Sequence, residues 1–169
     1  MSEVTVRRAR QAEVDRAGAI AVEAYHADGL LDEADDYEYR VRDAADRAVN
    51  AELLVAVDGG GSVLGSVTLA LHGTKYAQVS REGELEFRML STAIDAQGRG
   101  IGELLTRAVL ARARELGCLR VVLCLLEPNV KAQRLYARLG FDRLPERDWS
   151  PVPGLRLLAY GLELSRQGD

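Results

Sequence analysis

The sequence predicts a single mixed α/β domain with the element order β-α-α-β-β-β-α-β-α-β-β. Three observations lead there. Short apolar or alternating runs of strand length are interleaved with longer runs whose apolar residues recur at the helical period. Two of the short runs, Leu53 to Asp58 and Val63 to Leu71, are joined only by Gly59-Gly60-Gly61-Ser62, which reads as a hairpin. A further run, Leu85 to Ile94, passes through Gln97-Gly98-Arg99-Gly100-Ile101-Gly102 into an amphipathic segment. Strand, glycine-rich turn and helix N-terminus thus follow one another directly.

Taken in order, Val4 to Arg8 alternates like a first strand. Ala9 to Asp28 is a helix, with Val14, Ala17, Ile20, Ala21 and Ala24 near the 3.6 period. After Gly29-Leu30-Leu31 comes the acidic run Asp32-Glu33-Ala34-Asp35-Asp36, and Asp35 or Asp36 is placed to cap a second helix reaching about Asn50. The hairpin follows, then a polar loop from His72 to Gly83. The helix from Gly100 to Leu116 carries Ile101, Leu104, Leu105, Ala108 and Val109 on one face, and Gly117 ends it. Val121 to Leu126 is wholly apolar, as in a central strand covered on both faces. Pro128 stops it, and Asn129 caps a helix to Leu139. Gly140 ends that helix and Phe141 begins an extended piece. Pro145 to Gly154, with three of the four prolines, reads as a rigid loop. Leu155 to Leu164 is the last strand, and a tail after about 165 is expected to fray. With no repeat or linker, residues 1–169 are assigned to one domain.

Composition narrows the function. A hydrophobic fraction of 47% and a charged fraction of 28% are those of a globular domain, and no apolar run reaches membrane-spanning length. The N-terminus lacks a signal pattern, so a cytoplasmic protein with no membrane partner is expected. The net charge of −4 argues against nucleic acid as a partner. Cys118 and Cys124 lie in apolar surroundings and read as reduced core thiols. With His26 and His72 far apart, no metal site is expected.

The glycine turn is the first feature that points to a ligand. A helix N-terminus carries unpaired N–H groups and partial positive charge, and glycines let a phosphate sit on them. The dinucleotide fingerprint Gly-x-Gly-x-x-Gly fails here, because its sixth place is Glu103 or Leu105. The Gly-Lys-Ser/Thr of a nucleotide-binding P-loop is absent. A turn that uses glycine only to fit tightly is the plain alternative. The second feature is Asn129-Val-Lys-Ala132-Gln-Arg-Leu135-Tyr136-Ala-Arg-Leu139-Gly140-Phe141. Residues seven apart lie nearly in line on a helix, so Asn129, Ala132 and Tyr136 share a face. Tyr136 is either a phenol offered to a ligand or an amphipathic boundary residue.

At these two motifs the chain resembles the GNAT superfamily of N-acetyltransferases. Gln97 to Gly102 fits its Gln/Arg-x-x-Gly-x-Gly/Ala acetyl-CoA motif, and Asn129 to Phe141 fits its Asn-x-x-Ala-x-x-Leu-Tyr-x-x-x-Gly-Phe motif. The element order fits as well. Thr92 and Ile94 depart from the valine and proline that many members carry there. The resemblance implies a central mixed, mostly antiparallel sheet flanked by helices. It implies acetyl-CoA as acyl donor and no metal.

The resemblance also implies roles. The backbone of Leu90, Ser91 and Thr92 would bond the pantetheine arm, and the amides of Gly98, Arg99, Gly100, Ile101, Gly102 and Glu103 would hold the pyrophosphate. Arg99 either adds charge near a phosphate or is solvated. Asn129 either contacts pantetheine or caps its helix. Tyr136 would protonate the departing thiolate as general acid. An amine acceptor, with a pKa near about 10.4, must also lose a proton. Glu86 stands where some members carry a glutamate base, acting directly or through water. Glu84 is the second candidate, and a strand-face salt bridge with Arg88 is the alternative for both.

The resemblance further implies an acceptor cleft bordered by Tyr25, His26, the acids Asp32 to Glu38, Tyr39 and Trp149, and such a lining suits a cationic amine. Ordinary capping and solvated charge explain the same acids. The function expected is transfer of an acetyl group to a primary amine by direct attack in a ternary complex, a small-molecule amine being favoured over a protein or peptide. The alternative is a non-catalytic acyl-CoA-binding regulatory module. A homodimer is left open.

Overall fold

The structure is a computed structural model, and it describes residues 3–31 and 37–165. The expected cap at Asp35 or Asp36 and the tail beyond 165 fall outside the described residues. An eight-stranded sheet has the order β1-β2-β3-β4-β5-β8-β6, with β7 paired to β8. The strands are β1 (Thr5–Arg8), β2 (Glu52–Val57), β3 (Val63–Leu71), β4 (Glu84–Thr92), β5 (Arg120–Leu126), β6 (Asp142–Arg143), β7 (Trp149–Val152) and β8 (Leu155–Glu163). Every pairing is antiparallel except β4 with β5. This is the mixed, mostly antiparallel sheet expected.

The helices are α1 (Val14–Ala27), α2 (Glu38–Arg42), α3 (Ala44–Asn50), α4 (Ile101–Glu115) and α5 (Val130–Arg138). The single helix expected before Asn50 is two. At Asp43 the backbone leaves the helical region, and the Asp43 carboxylate then caps α3 by accepting from the Asp46 amide at 3.1 Å. Gly18 lets α1 and α2 meet, because a Cβ there would stand 2.1 Å from the Arg42 carbonyl oxygen. The segment read as a rigid loop after Pro145 contains β7, which pairs with β8. No helix among the described residues is long and apolar enough to cross a membrane.

The core lies between the sheet and the helices on its faces. Helix α4 buries Ile101, Leu105, Val109 and Ala113, a stripe narrower than the sequence pattern, with Leu104 at the surface. That face reaches the sheet at Gly65. A Cβ on Gly65 would stand 2.6 Å from the Ser91 carbonyl oxygen and 3.0 Å from Ile101 Cγ2. So one glycine in β3 sets how closely β4 and α4 approach. The aromatic centre is Phe87, Tyr136 and Phe141, with ring centroids 5.6–6.1 Å apart in edge-to-face arrangements.

Candidate active site

Strands β4 and β5 pair only from Glu84–Arg120 to Glu86–Val122. Beyond that rung they separate. A cleft of about 1170 Å³ opens between them, lined by Phe87 to Thr92 on one side and Leu123 to Leu126 on the other. Each strand therefore turns unpaired backbone N–H and C=O groups toward the cleft, where an extended amide-bearing ligand can meet them.

Strand β4 is distorted where it leaves its partner. Ser66 pairs with Ser91 and Thr68 with Arg88, so Met89 and Leu90 together face Val67. Met89 sits at φ 55°, in the left-handed region. Such a bulge re-aims the following residue, which here is Leu90. Nothing in the sequence marks it, since methionine has no preference for that conformation.

The α4 N-terminus forms one end of the cleft. Gly98 and Gly100 have φ of 79° and 76°, which explains both glycines. Gly100 is the N-cap and offers no side-chain cap. The first helical bond runs from the Leu104 amide to the Gly100 carbonyl at 3.0 Å, leaving the amides of Ile101, Gly102 and Glu103 without helix partners. Gly102 packs against Leu135 and Leu90, at 3.4 Å and 3.6 Å from where its Cβ would be. The Glu103 carboxylate ties α4 to α5 by a 2.9 Å bond from Arg138.

Gln97, Gly98, Gly100, Ile101, Gly102 and Glu103 all line this cleft, as do Leu90, Ser91 and Thr92. Arg99 does not. It lies on a separate polar groove with Arg16, Glu13, Asp58 and Asp95. Asn129 lines the cleft and also caps α5, its side-chain oxygen accepting from the Ala132 amide at 3.2 Å. Ala132 and Tyr136 follow on the same face. Lys131, Arg134 and Arg138 line the cleft as well. Their i, i+3, i+7 spacing was the signal that sequence analysis passed over.

Tyr136 is 4% exposed, held among the rings of Phe87 and Phe141. Burial pushes its hydroxyl above the usual tyrosine range, so the proton stays on oxygen at neutral pH. The structure brings this phenol to the cleft but does not bring either carboxylate expected beside it. Glu86 is 0% exposed, and its Oε1 accepts from the amides of Gln78, Val79 and Ser80 at 2.8, 2.9 and 3.0 Å. Its Oε2 is buried without a partner among the described residues. Glu84 is bound by Arg147 at 2.6 and 3.0 Å and by the Arg81 amide at 2.7 Å. Although burial opposes it, the Arg147 bond holds the Glu84 carboxyl below its ordinary value. Neither acid meets Arg88, which donates to the Tyr76 carbonyl and the Tyr37 hydroxyl.

The other half of the cleft is phenolic. Tyr25, Tyr37, Tyr39 and Tyr76 line it with Trp149, whereas His26 instead meets Glu38 at 2.6 Å. Of the acids expected there, Asp32 to Asp36 fall outside the described residues. Cys124 is a correction to the sequence reading. It lines the cleft, because β4 has already left β5 at that level, and burial pushes its thiol up to about 12. Cys118 is a free, half-buried thiol packed against the core.

A family model described as the Acetyltransferase (GNAT) family matches residues 18–141. The mycothiol acetyltransferase of Pseudarthrobacter chlorophenolicus is 38% identical over 93 residues, 55% of this chain and 28% of that protein. The chain spans about a third of the length of the curated relatives it matches. Among solved structures, an acetyltransferase of the GNAT family from Staphylococcus aureus Mu50 aligns with TM-score 0.72 at 13% identity, covering 96% of this chain and 100% of that one. A Salmonella typhimurium protein solved with its cofactor acetyl-CoA aligns with TM-score 0.67 at 23% identity, covering 99% and 98%. At those identities the likeness is one of fold.

Proposed function

Because the chain belongs to the GNAT family of acetyltransferases, we propose that it transfers an acetyl group from acetyl-CoA to a primary amine by direct attack in a ternary complex. The observation that carries this reading is the convergence on one cleft of an uncapped helix N-terminus, a freed strand edge and a buried phenol. The residues present fit acetyl-CoA. The amides of Gly98 and Gly100 to Glu103 receive the pyrophosphate, with Lys131, Arg134 and Arg138 supplying positive charge beside it. The backbone of Leu90 to Thr92 receives the pantetheine arm, and Ala132 leaves room for it.

The chemistry then divides between two sides. The backbone at Leu90, re-aimed by the Met89 bulge, polarises the thioester carbonyl. The amine nitrogen bonds to the carbonyl carbon as the carbon–sulfur bond breaks. Tyr136 donates its proton toward the departing sulfur. The proton lost by the amine passes to water in the cleft, and Glu86, whose Oε2 has no partner among the described residues, is the candidate carboxylate behind that water. Glu84 serves structure, fixing Arg147 and the wall it belongs to.

The test is mass spectrometry of a panel of amines incubated with the protein and acetyl-CoA. A mass gain of one acetyl group on an amine, with stoichiometric release of free CoA, supports transfer. Tight acetyl-CoA binding with no acetylated product would favour the non-catalytic, acyl-CoA-binding regulatory module instead.

A further inference from the structure

Arg88, at the phenolic half of the cleft, and Arg47, buried outside its lining, have no carboxylate within ion-pair distance among the described residues. Arg88 lines the cleft from β4. Its Nη1 donates to the Tyr76 carbonyl at 3.3 Å and its Nη2 to the Tyr37 hydroxyl at 2.9 Å. Neither acceptor is a carboxylate. Arg47 is 1% exposed, donating to the Arg40 carbonyl at 2.7 Å, with Nε unpartnered among the described residues. Burial lowers its pKa, and its charge is felt by Tyr25, Tyr76 and Tyr37, so it adds positive potential behind the same wall.

The cleft carboxylates nearby are otherwise engaged. Asp46 is held by Lys75 at 2.7 Å and by the Tyr76 hydroxyl. Asp43 caps α3, and Asp28, at the exposed end of α1, makes no ion pair with Arg88. Arg40, also on the cleft, donates to the Tyr39 hydroxyl at 3.2 Å. An arginine fork is planar and matches the two oxygens of a carboxylate or phosphate. Leaving a half-buried guanidinium without an anion is unfavourable, and a ligand that brings one removes that cost.

Resting on the acyltransferase reading, we propose that the acceptor is a primary amine bearing an oxyanion, a carboxylate or a phosphate, near its nitrogen, and that Arg88 binds this oxyanion. Arg88 precedes Leu90 by two residues across the Met89 bulge, and both line the cleft. The anion therefore lies a few bonds from the amine that attacks beside Leu90. This reverses the cationic acceptor that the acidic run in the sequence suggested.

Matched amines test it. Phenylalanine is compared with phenethylamine, and phosphoethanolamine with ethanolamine, which separates carboxylate from phosphate. The expected result is that one anionic member surpasses its neutral partner in kcat/KM by about 10- to 100-fold, mainly through KM. Arg88→Gln removes most of that gap, Arg88→Lys retains part of it, and acetyl-CoA affinity by calorimetry stays unchanged in both. Neutral members acetylated as well as anionic ones would overturn the proposal while leaving acetyl transfer intact. Acetyl-CoA binding with no amine acetylated would overturn the transfer reading and this proposal together. Should Arg88→Gln fail to fold, the matched pairs on the unaltered protein decide alone.

Discussion

Glu86 and Val122 form the last rung between β4 and β5. The β4 and β5 residues that line the cleft lie beyond them: Phe87 to Thr92 on one strand and Leu123 to Leu126 on the other. Glu86 is also the residue whose carboxylate gathers the amides of Gln78, Val79 and Ser80. The point where the sheet divides is thus the point where the 78–80 loop is anchored.

Glu86→Gln tests both roles. An amide keeps one oxygen acceptor for the loop but loses the charge that strengthens those bonds. Stability in urea is expected to fall by about 1–3 kcal/mol. If Glu86 also takes the amine proton through water, kcat falls by about 100-fold with acetyl-CoA affinity unchanged. Lost stability with unaltered kcat would leave Glu86 as a loop anchor only.

Gly100→Ala places a side chain at φ 76°. The left-handed conformation costs such a residue about 1–2 kcal/mol. The chain can escape by rotating the first turn of α4, which moves the amides of Ile101 to Glu103. Melting temperature and acetyl-CoA affinity should fall together, the second read by calorimetry.

Gly65→Ala reaches the site through β4 and α4. The added Cβ would stand 2.6 Å from the Ser91 carbonyl oxygen and 3.0 Å from Ile101. Overpacking of this kind costs about 1–3 kcal/mol. Because Ser91 and Ile101 line the cleft, acetyl-CoA binding should weaken although Gly65 touches no ligand.

Asp148 links the wall after Pro145 to the sheet. Its carboxylate accepts from Arg143 at 2.8 and 2.6 Å, from Arg156 at 3.0 Å and from the Ala159 amide at 2.8 Å. The Arg143 fork, chiefly, holds its pKa well below the usual aspartate value. A depressed folded pKa gives stability that is complete above the unfolded value of about 3.9 and is lost as pH falls through the folded one. Urea midpoints of the unaltered protein and Asp148→Asn should therefore differ most near neutrality and converge below about pH 4.

Much of this was legible in the sequence because it is local. The hairpin at Gly59 to Ser62, the glycines before α4 and the Asn129 cap depend on neighbours a few residues away. What was missed depends on distant partners. Glu84 and Glu86 alternate on β4 as though facing one open side. Their fates are set by Arg147 and by the loop at 78–80, which no spacing along β4 reveals. Cys124 sits in an apolar run that reads as covered on both faces. It reaches the cleft because β4 departs one rung earlier. Arg99, beside two glycines whose conformations the sequence does explain, points to another groove because alternate residues of the turn face different ways.

The most direct measurement is the steady-state rate of amine acetylation by Tyr136→Phe. Phenylalanine keeps the rings packed on Phe87 and Phe141 and removes only the hydroxyl. The account predicts kcat reduced by about 100-fold or more, with acetyl-CoA affinity and melting temperature close to those of the unaltered protein. Turnover equal to that of the unaltered protein at every pH would contradict it.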